Sequence, residues 1–264
     1  MRNPQLLALA ACAVTAAAIP FPFDIFQAPD PPRAIPESAP DNPKNFQPIL
    51  DYDSDSCYNV PAVDAQGNVT QGLSPEHSTN TADCRNTPDL DNQNVYSRTR
   101  CNNGWCAYMY AHYFEKDVAL EHSVGELAGH RHEWEEIVVF VKNGESKPAF
   151  VAASAHNDYD TKPASEVRFD GSHAKIVYHK GGIGTHSFRF ANPSDDKIEN
   201  AKGQWIRGAL IDYNSWPSNQ VRDKMAATFN GGGIKFKLTD GLFPEYLKKA
   251  ASNKVAGFDP NKDA

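Results

Sequence analysis

This sequence predicts a mainly β fold, a sandwich or barrel, on three observations. Short runs rich in β-branched and aromatic residues recur between residues 106 and 213. Turn dipeptides separate several of them, and no strand-length runs alternate with helix-length ones as they would in a βαβ chain. The expected strands are 106–114, 136–142, 149–154, 167–169, 175–178, 187–190 and 205–213. Asn143-Gly144 and Asp170-Gly171 are the strongest hairpin marks, since tight hairpin turns favour residues that tolerate positive φ. The first run carries Tyr108, Tyr110, His112 and Phe114 on one face and Trp105, Ala107, Met109, Ala111 and Tyr113 on the other. Apolar matter on both faces predicts burial on both sides; a carbohydrate-stacking platform is the sharper alternative. Two helices are expected to follow: 219–229 with Ser218 as N-cap, and 244–251 opening on Pro244.

Ahead of these elements, Met1-Arg2, an apolar run over 6–14 and Ala16-Ala17-Ala18 read as a secretory signal peptide, residues 1–18. Its apolar core is too short to span a bilayer. The stretch 19–50, proline-rich from Pro20 to Pro43, is expected to be a linker or a removed pro-segment, with 51–264 as one domain. Of the five cysteines, Cys12 falls in the signal peptide, leaving Cys57, Cys84, Cys101 and Cys106, an even number suited to two disulfides in a secreted chain. Cys101 and Cys106 flank the turn-like Asn102-Asn103-Gly104-Trp105, so they are paired with each other, and Cys57 with Cys84. Asn68-Val69-Thr70 is a glycosylation sequon. A net charge of -7 argues against nucleic acid as a partner and against simple adsorption to an anionic membrane. A secreted, extracellular monomer is expected, and any membrane targeting has to be specific.

The most informative segment is Gly129-His130-Arg131-His132-Glu133-Trp134-Glu135. Carboxylates with one imidazole suit a hard divalent cation better than a thiolate-loving one. If the chain is extended from His132, alternation puts Glu133 and Glu135 on one face and His132 and Trp134 on the other. His130 then needs a turn to join the acids, and Gly129 stands where that turn is expected. A loop entering a strand is therefore the expected geometry, with Asp117 as a fourth oxygen donor. His132-Glu133 begins the zinc-protease pattern H-E-x-x-H, but Glu136 occupies the second histidine's place. A solvated strand edge with paired charges is the plainer alternative. The apolar run over 137–141, which reads as a buried strand, argues against it.

The heptad closely resembles the GHRHDWE signature of the necrosis- and ethylene-inducing peptide-like proteins, secreted microbial cytolysins that attack plant cells. Ala107-Tyr108-Met109-Tyr110 with Tyr113-Phe114 and Lys116-Asp117 is similar to that family's AIMYSWYFPKD stretch, and Ala153-Ser154-Ala155-His156 to its SAH segment. The resemblance runs over about 51–247, and the four cysteines resemble the four-cysteine subgroup. It implies a central β-sandwich of actinoporin and fungal-lectin type with a few peripheral helices. It further implies one divalent cation, Ca2+ or Mg2+, held by Asp117, His130, Glu133 and Glu135. Arg131 and His132 would orient that site, and Trp134 would fix the glutamates by packing. Apart from the resemblance, the polar strand end at His156 and Asp158 reads as the rim of a sugar site, with a merely hydrogen-bonded, structural His156 as the plainer alternative. The implied target is the sugar headgroup of plant glycosylinositol phosphorylceramide, followed by permeabilisation of the plasma membrane; plant immune receptors are a further implied partner.

Four departures fall near this site. Glu133 replaces the family's Asp, His112 a Trp and Glu115 a Pro, and about five extra residues lie between Asp117 and Gly129. A non-lytic, metal-dependent glycan-binding protein of the same fold is the alternative. An enzyme is not expected, because no nucleophile, oxyanion pattern or second zinc histidine accompanies the acids.

Overall fold

The computed structural model describes residues 29–75, 80–119, 129–181, 184–231 and 233–263. Its strands are β1 (Ile49–Tyr52), β2 (Asn94–Asn102), β3 (Trp105–Val118), β4 (Gly129–Lys142), β5 (Phe150–Ala155), β6 (Asp158–Pro163), β7 (Phe169–Asp170), β8 (His173–Lys180), β9 (His186–Phe190) and β10 (Ala209–Asp212). Three α-helices join them: α1 (Asp41–Phe46), α2 (Asn219–Thr228) and α3 (Phe243–Ala251). A six-stranded sheet runs β10-β2-β3-β4-β5-β6, antiparallel except at β10-β2. A smaller sheet is built on β8, which pairs in parallel with β1 and antiparallel with β7 and β9.

Alternation along β3 and β4 gives the large sheet two apolar faces. One face, with Tyr110, Phe114, Ile137 and Val139, packs on Ile176, Tyr178 and Phe188 of the small sheet. Phe114 and Tyr178 stack there with ring centroids 3.8 Å apart. The opposite face, with Met109, Tyr113, Trp134 and Val138, is covered by Met225 of α2 and by Phe243, Leu247 and Ala250 of α3. Each such side chain contributes about 1.5–3 kcal/mol when fully buried, so the sheet is stabilised from both sides. β3 is buried along almost its whole length. The two-sided-burial reading holds, and the stacking-platform alternative does not, because no face of this strand reaches solvent.

Both expected hairpin marks sit at turns, with Gly144 at φ 83° and Gly171 at φ 61°. Ser218 caps α2, its hydroxyl accepting from the Val221 N–H at 3.3 Å. Both expected disulfides are present, Cys57–Cys84 and Cys101–Cys106. Trp216 stacks on Tyr96 at 5.2 Å, as a core-packing side chain.

Four expectations need correction. Residues 32–50 are part of the domain and not a linker: the backbone N–H groups of Ala34 and Ile35 donate to the side chains of Asn92 and Asn94, Ile35 is 2 % exposed, and β1 pairs with β8. The proline spacing that suggests a linker also suits a chain laid extended on a surface, where few backbone donors need partners. β1, β2 and β6 were not foreseen; polar side chains dilute their apolar pattern. The strand expected at 205–213 shortens to β10, and the one at 167–169 shifts to β7. The heptad is strand from its first residue, paired with β3 from Val118↔Gly129 through Trp105↔Lys142. The signal peptide 1–18 and most of the extra segment after Asp117 lie outside the described residues.

Candidate metal centre

The centre forms where the β3-β4 ladder becomes irregular. His132 has φ 62° and Gly129 φ 113°. No pairing joins Glu115 to His132, although the partners on either side, Phe114↔Glu133 and Lys116↔Arg131, keep register. Strict alternation therefore fails over a few residues. Phe114 and Asp117, three apart, both contact the small sheet, and His130 joins Glu133 across three positions. The turn assigned to Gly129 is thus shared with His132. Gly129 has a separate reason to be glycine: a Cβ there would stand 2.0 Å from the Asp117 carbonyl oxygen.

Asp117, His130 and Glu133 bring one ligand atom each to within 4.8 Å of one another. His130 Nε2 lies 3.2 Å from Glu133 Oε2 and 4.0 Å from Asp117 Oδ2. Its Nδ1 is 2.8 Å from the His132 carbonyl oxygen. A carbonyl only accepts, so Nδ1 carries the proton and Nε2 is the nitrogen presented to the acids, the arrangement that metal-binding imidazoles need. Glu133 Oε1 accepts from the Trp134 N–H at 2.6 Å, which fixes that carboxylate.

Glu135 lies on the wall of the same pocket but is not one of the three converging residues. Its Oε2 accepts from the Ser154 hydroxyl. The four-ligand set expected from the sequence is thus a set of three with Glu135 beside it. Arg131 turns away to donate to the Gln71 and Gly72 carbonyls at 2.9 and 3.3 Å. His132 Nδ1 is 2.5 Å from the Tyr113 hydroxyl. Trp134 is 1 % exposed and packs against Tyr113, Phe229 and Phe236.

The pocket, about 300 Å³, is closed by His156, Asn157, Thr185, Gly233, Ile234, Lys235 and Lys237. His156 and Asn157 form the β5-β6 turn with φ 52° and 68°, a conformation that costs non-glycine residues energy and is often found at working surfaces. Asp158 is not on the wall; it is exposed and accepts from the Tyr159 N–H at 2.9 Å. Asn68 is exposed on a turn, its amide donating to Asp64 at 2.8 Å, and is not on the pocket wall.

Two residues absent from the sequence reading complete the centre. His186 of β9, 2 % exposed, grips both oxygens of Asp117: its Nδ1 is 2.6 Å from Oδ1 and its backbone N–H donates to Oδ2 at 2.9 Å. Its Nε2 is 3.5 Å from Asp55. Lys237, 6 % exposed, pairs with the buried Glu136 at 2.7 Å. Neither has a local sequence signal. Both come from chain far downstream and are identifiable only once the sheets pack.

Electrostatics test whether a cation fits. Burial by itself would lower His130, but the hydrogen bond and charge of Glu133, with Asp117, raise it to about 9. Burial and the charge of Glu133 push Glu135 well above the ordinary carboxylate range. Burial also raises Glu136 to about 7 against the pull of Lys237. Burial, with the neighbouring Arg131 and His130, lowers His132 to about 4. The cluster therefore takes up protons where positive charge is short, as an acidic site built around a cation does. The donors, oxygens and one nitrogen, fit a hard divalent ion.

Comparison with known proteins identifies the family. A family model described as Necrosis inducing protein (NPP1) matches residues 41–250. NLP effector protein 10 of Phytophthora capsici is 35% identical over 156 residues, 58% of this chain, and the chain spans 63% of that relative's length. A solved structure described as NLPPya in complex with glucosamine superposes with a TM-score of 0.66 at 29% identity, covering 82% of this chain and 94% of the other. A second, described as non-toxic HaNLP3, superposes at 0.63 with 26% identity, covering 83% of this chain and 96% of the other.

Proposed function

Since this chain belongs to the necrosis-inducing protein family, we propose that it is a secreted, non-enzymatic cytolysin that docks on a plant membrane through a cation-held sugar headgroup and then permeabilises it. The observation that carries this reading is the convergence of the buried Asp117 with His130 and Glu133, the latter two on the wall of a pocket lined mostly by polar side chains. When bound, Ca2+ or Mg2+ supplies a Lewis-acid point for vicinal sugar hydroxyls and offsets local acidic repulsion. Asp117 is held in place by His186, His130 presents Nε2, and Glu133 is fixed by the Trp134 N–H. His156, Asn157 and Thr185 offer hydrogen-bonding groups to the rest of the headgroup. A relative described with bound glucosamine supports a sugar in this role.

No helix among the described residues is long and apolar enough to cross a membrane. The family's glycosylinositol phosphorylceramide is the proposed lipid. The test is dye leakage from vesicles containing that lipid, with Ca2+ or Mg2+ present and again with chelator. Leakage that requires the cation is the expected result; leakage unaffected by chelator would overturn the cation role. A second reading, glycan binding without lysis, is favoured by the structural likeness to a relative described as non-toxic. Cation-dependent vesicle binding with no dye release would establish it.

A further inference from the structure

Three acids alternate along Asp51-Tyr52-Asp53-Ser54-Asp55, at the end of β1 and just beyond it. The first two serve the fold. Asp51 accepts from the Asn200 side chain at 2.8 Å, and Asp53 pairs with Arg189 at 3.2 Å. Asp55, half-exposed, instead meets His186: its Oδ1 lies 3.5 Å from Nε2, while the other ring nitrogen grips Asp117. One imidazole thus stands between an outer carboxylate and the buried carboxylate of the metal centre.

The ring has little freedom. Its Nδ1 lies 2.6 Å from Asp117 Oδ1, the His186 backbone N–H donates to Asp117 Oδ2 at 2.9 Å, and the Tyr178 ring packs on it with centroids 5.2 Å apart. Nε2 is buried and makes no hydrogen bond of good geometry to the described residues, so the charge of Asp55 is what it meets on that edge. A ring that donates from Nδ1 would turn a bare lone pair toward Asp55 unless Nε2 also carries a proton; with both in place it bridges the two acids. Asp55 responds in kind, since the His186 ring holds its carboxyl below the usual carboxylate range against partial burial. The turn bearing Asp55 is itself fixed. The Ser56 N–H donates to the Asp53 carbonyl at 3.0 Å, Arg85 Nη1 donates to the carbonyls of Asp53 and Ser56 at 2.8 and 2.7 Å, and the Cys57–Cys84 bridge follows directly. A carboxylate on such a turn acts from a set position, whereas a freely moving surface acid contributes little.

We propose that Asp55 is a positioning residue of the metal centre: it anchors the outer edge of His186 and, through that ring, holds Asp117 in the orientation that receives the cation. This rests on the reading that Asp117, His130 and Glu133 bind Ca2+ or Mg2+. The test is a double-mutant cycle on cation affinity, with the full chain as wild type, Asp55→Asn, His186→Ala and both together. Each is titrated calorimetrically with Ca2+ and with Mg2+ at fixed ionic strength. Asp55→Asn is expected to weaken binding about 3–10-fold, less than the loss of His186 itself because Asp55 stands one contact further out. In the His186→Ala background the same change is expected to cost less than about twofold, whereas a charge acting through space alone would cost the same in both. Asp55→Glu keeps the charge and is expected to bind within about twofold of wild type. Melting of each metal-free variant reports its fold, and Asp55→Ser replaces Asp55→Asn in the cycle if the latter does not fold. Unchanged affinity in Asp55→Asn, equal costs in the two backgrounds, or binding by Asp55→Glu as weak as by Asp55→Asn would each overturn the proposal and leave the metal reading standing. Failure of the wild type to bind either ion would overturn both.

Discussion

His112 is the buried side chain whose titration has the clearest physical consequence. It is fully buried beside Phe188, at 5.2 Å between centroids, and neither ring nitrogen has a hydrogen-bond partner of good geometry. Burial depresses its pKa to about 3. The unfolded chain protonates the same ring near 6.5, so between about 6.5 and 3 the unfolded state holds the extra proton. Stability is therefore complete above that window and falls as pH drops through it, by up to about 1.4 kcal/mol per pH unit. His112→Phe is expected to flatten the stretch of a chemical-denaturation series between pH 6.5 and 4; an unchanged slope would place the acid sensitivity elsewhere. His186 has the opposite character. Asp117 and Asp55 outweigh burial and raise it to about 9, and its task is to aim Asp117. His186→Ala is expected to weaken cation binding about 10–100-fold, as loss of an outer-sphere partner does, with far less effect on thermal unfolding. Isothermal titration beside calorimetric melting separates the two effects.

The two disulfides differ in kind at the scale of elements. Cys101–Cys106 closes the β2-β3 hairpin over a separation of 5, whereas Cys57–Cys84 clamps a 27-residue span against the sandwich. Loop-closure entropy assigns the longer loop about 3.5 kcal/mol and the shorter about 2. Paired Cys→Ala variants are expected to show that order in urea unfolding, and the reverse order would mean that the hairpin bridge stabilises through packing. The elements also show what a sequence conveys. The long central strands were legible because aromatic and β-branched side chains fill both faces, and α2 because Ser218 caps it. β1, β2 and β6 were not, since Asp51, Asn94 and Thr161 are buried polar residues satisfied by partners far away in sequence. The heptad revealed the metal centre's chemistry but not its geometry. Where alternation broke depended on the backbone at His132, and Asp117 was anchored by a histidine 69 positions away.

At the scale of the whole molecule, a net charge of -7 and a cluster of buried acids both act against the compact state unless cations compensate them. Lys237 compensates Glu136, and the centre around Asp117 is left to take up protons or, on the reading proposed here, a metal ion. A ligand that binds only the folded state raises its stability by about 2.7 kcal/mol at a hundredfold excess over Kd. For a domain of this size each kcal/mol shifts Tm by roughly 2–4 °C, so saturating Ca2+ or Mg2+ is expected to raise Tm by roughly 5–10 °C over the EDTA-treated protein. General screening of the acidic surface would also stabilise, so NaCl at matched ionic strength is the necessary control, and it is expected to give only a small part of the shift. Asp117→Asn keeps the volume of the side chain, removes its charge and is expected to abolish the cation-specific part. Equal shifts with NaCl and with the divalent salts would mean that the three converging side chains hold no ion. The lipid-docking mechanism would then lose its anchor, whatever the family resemblance.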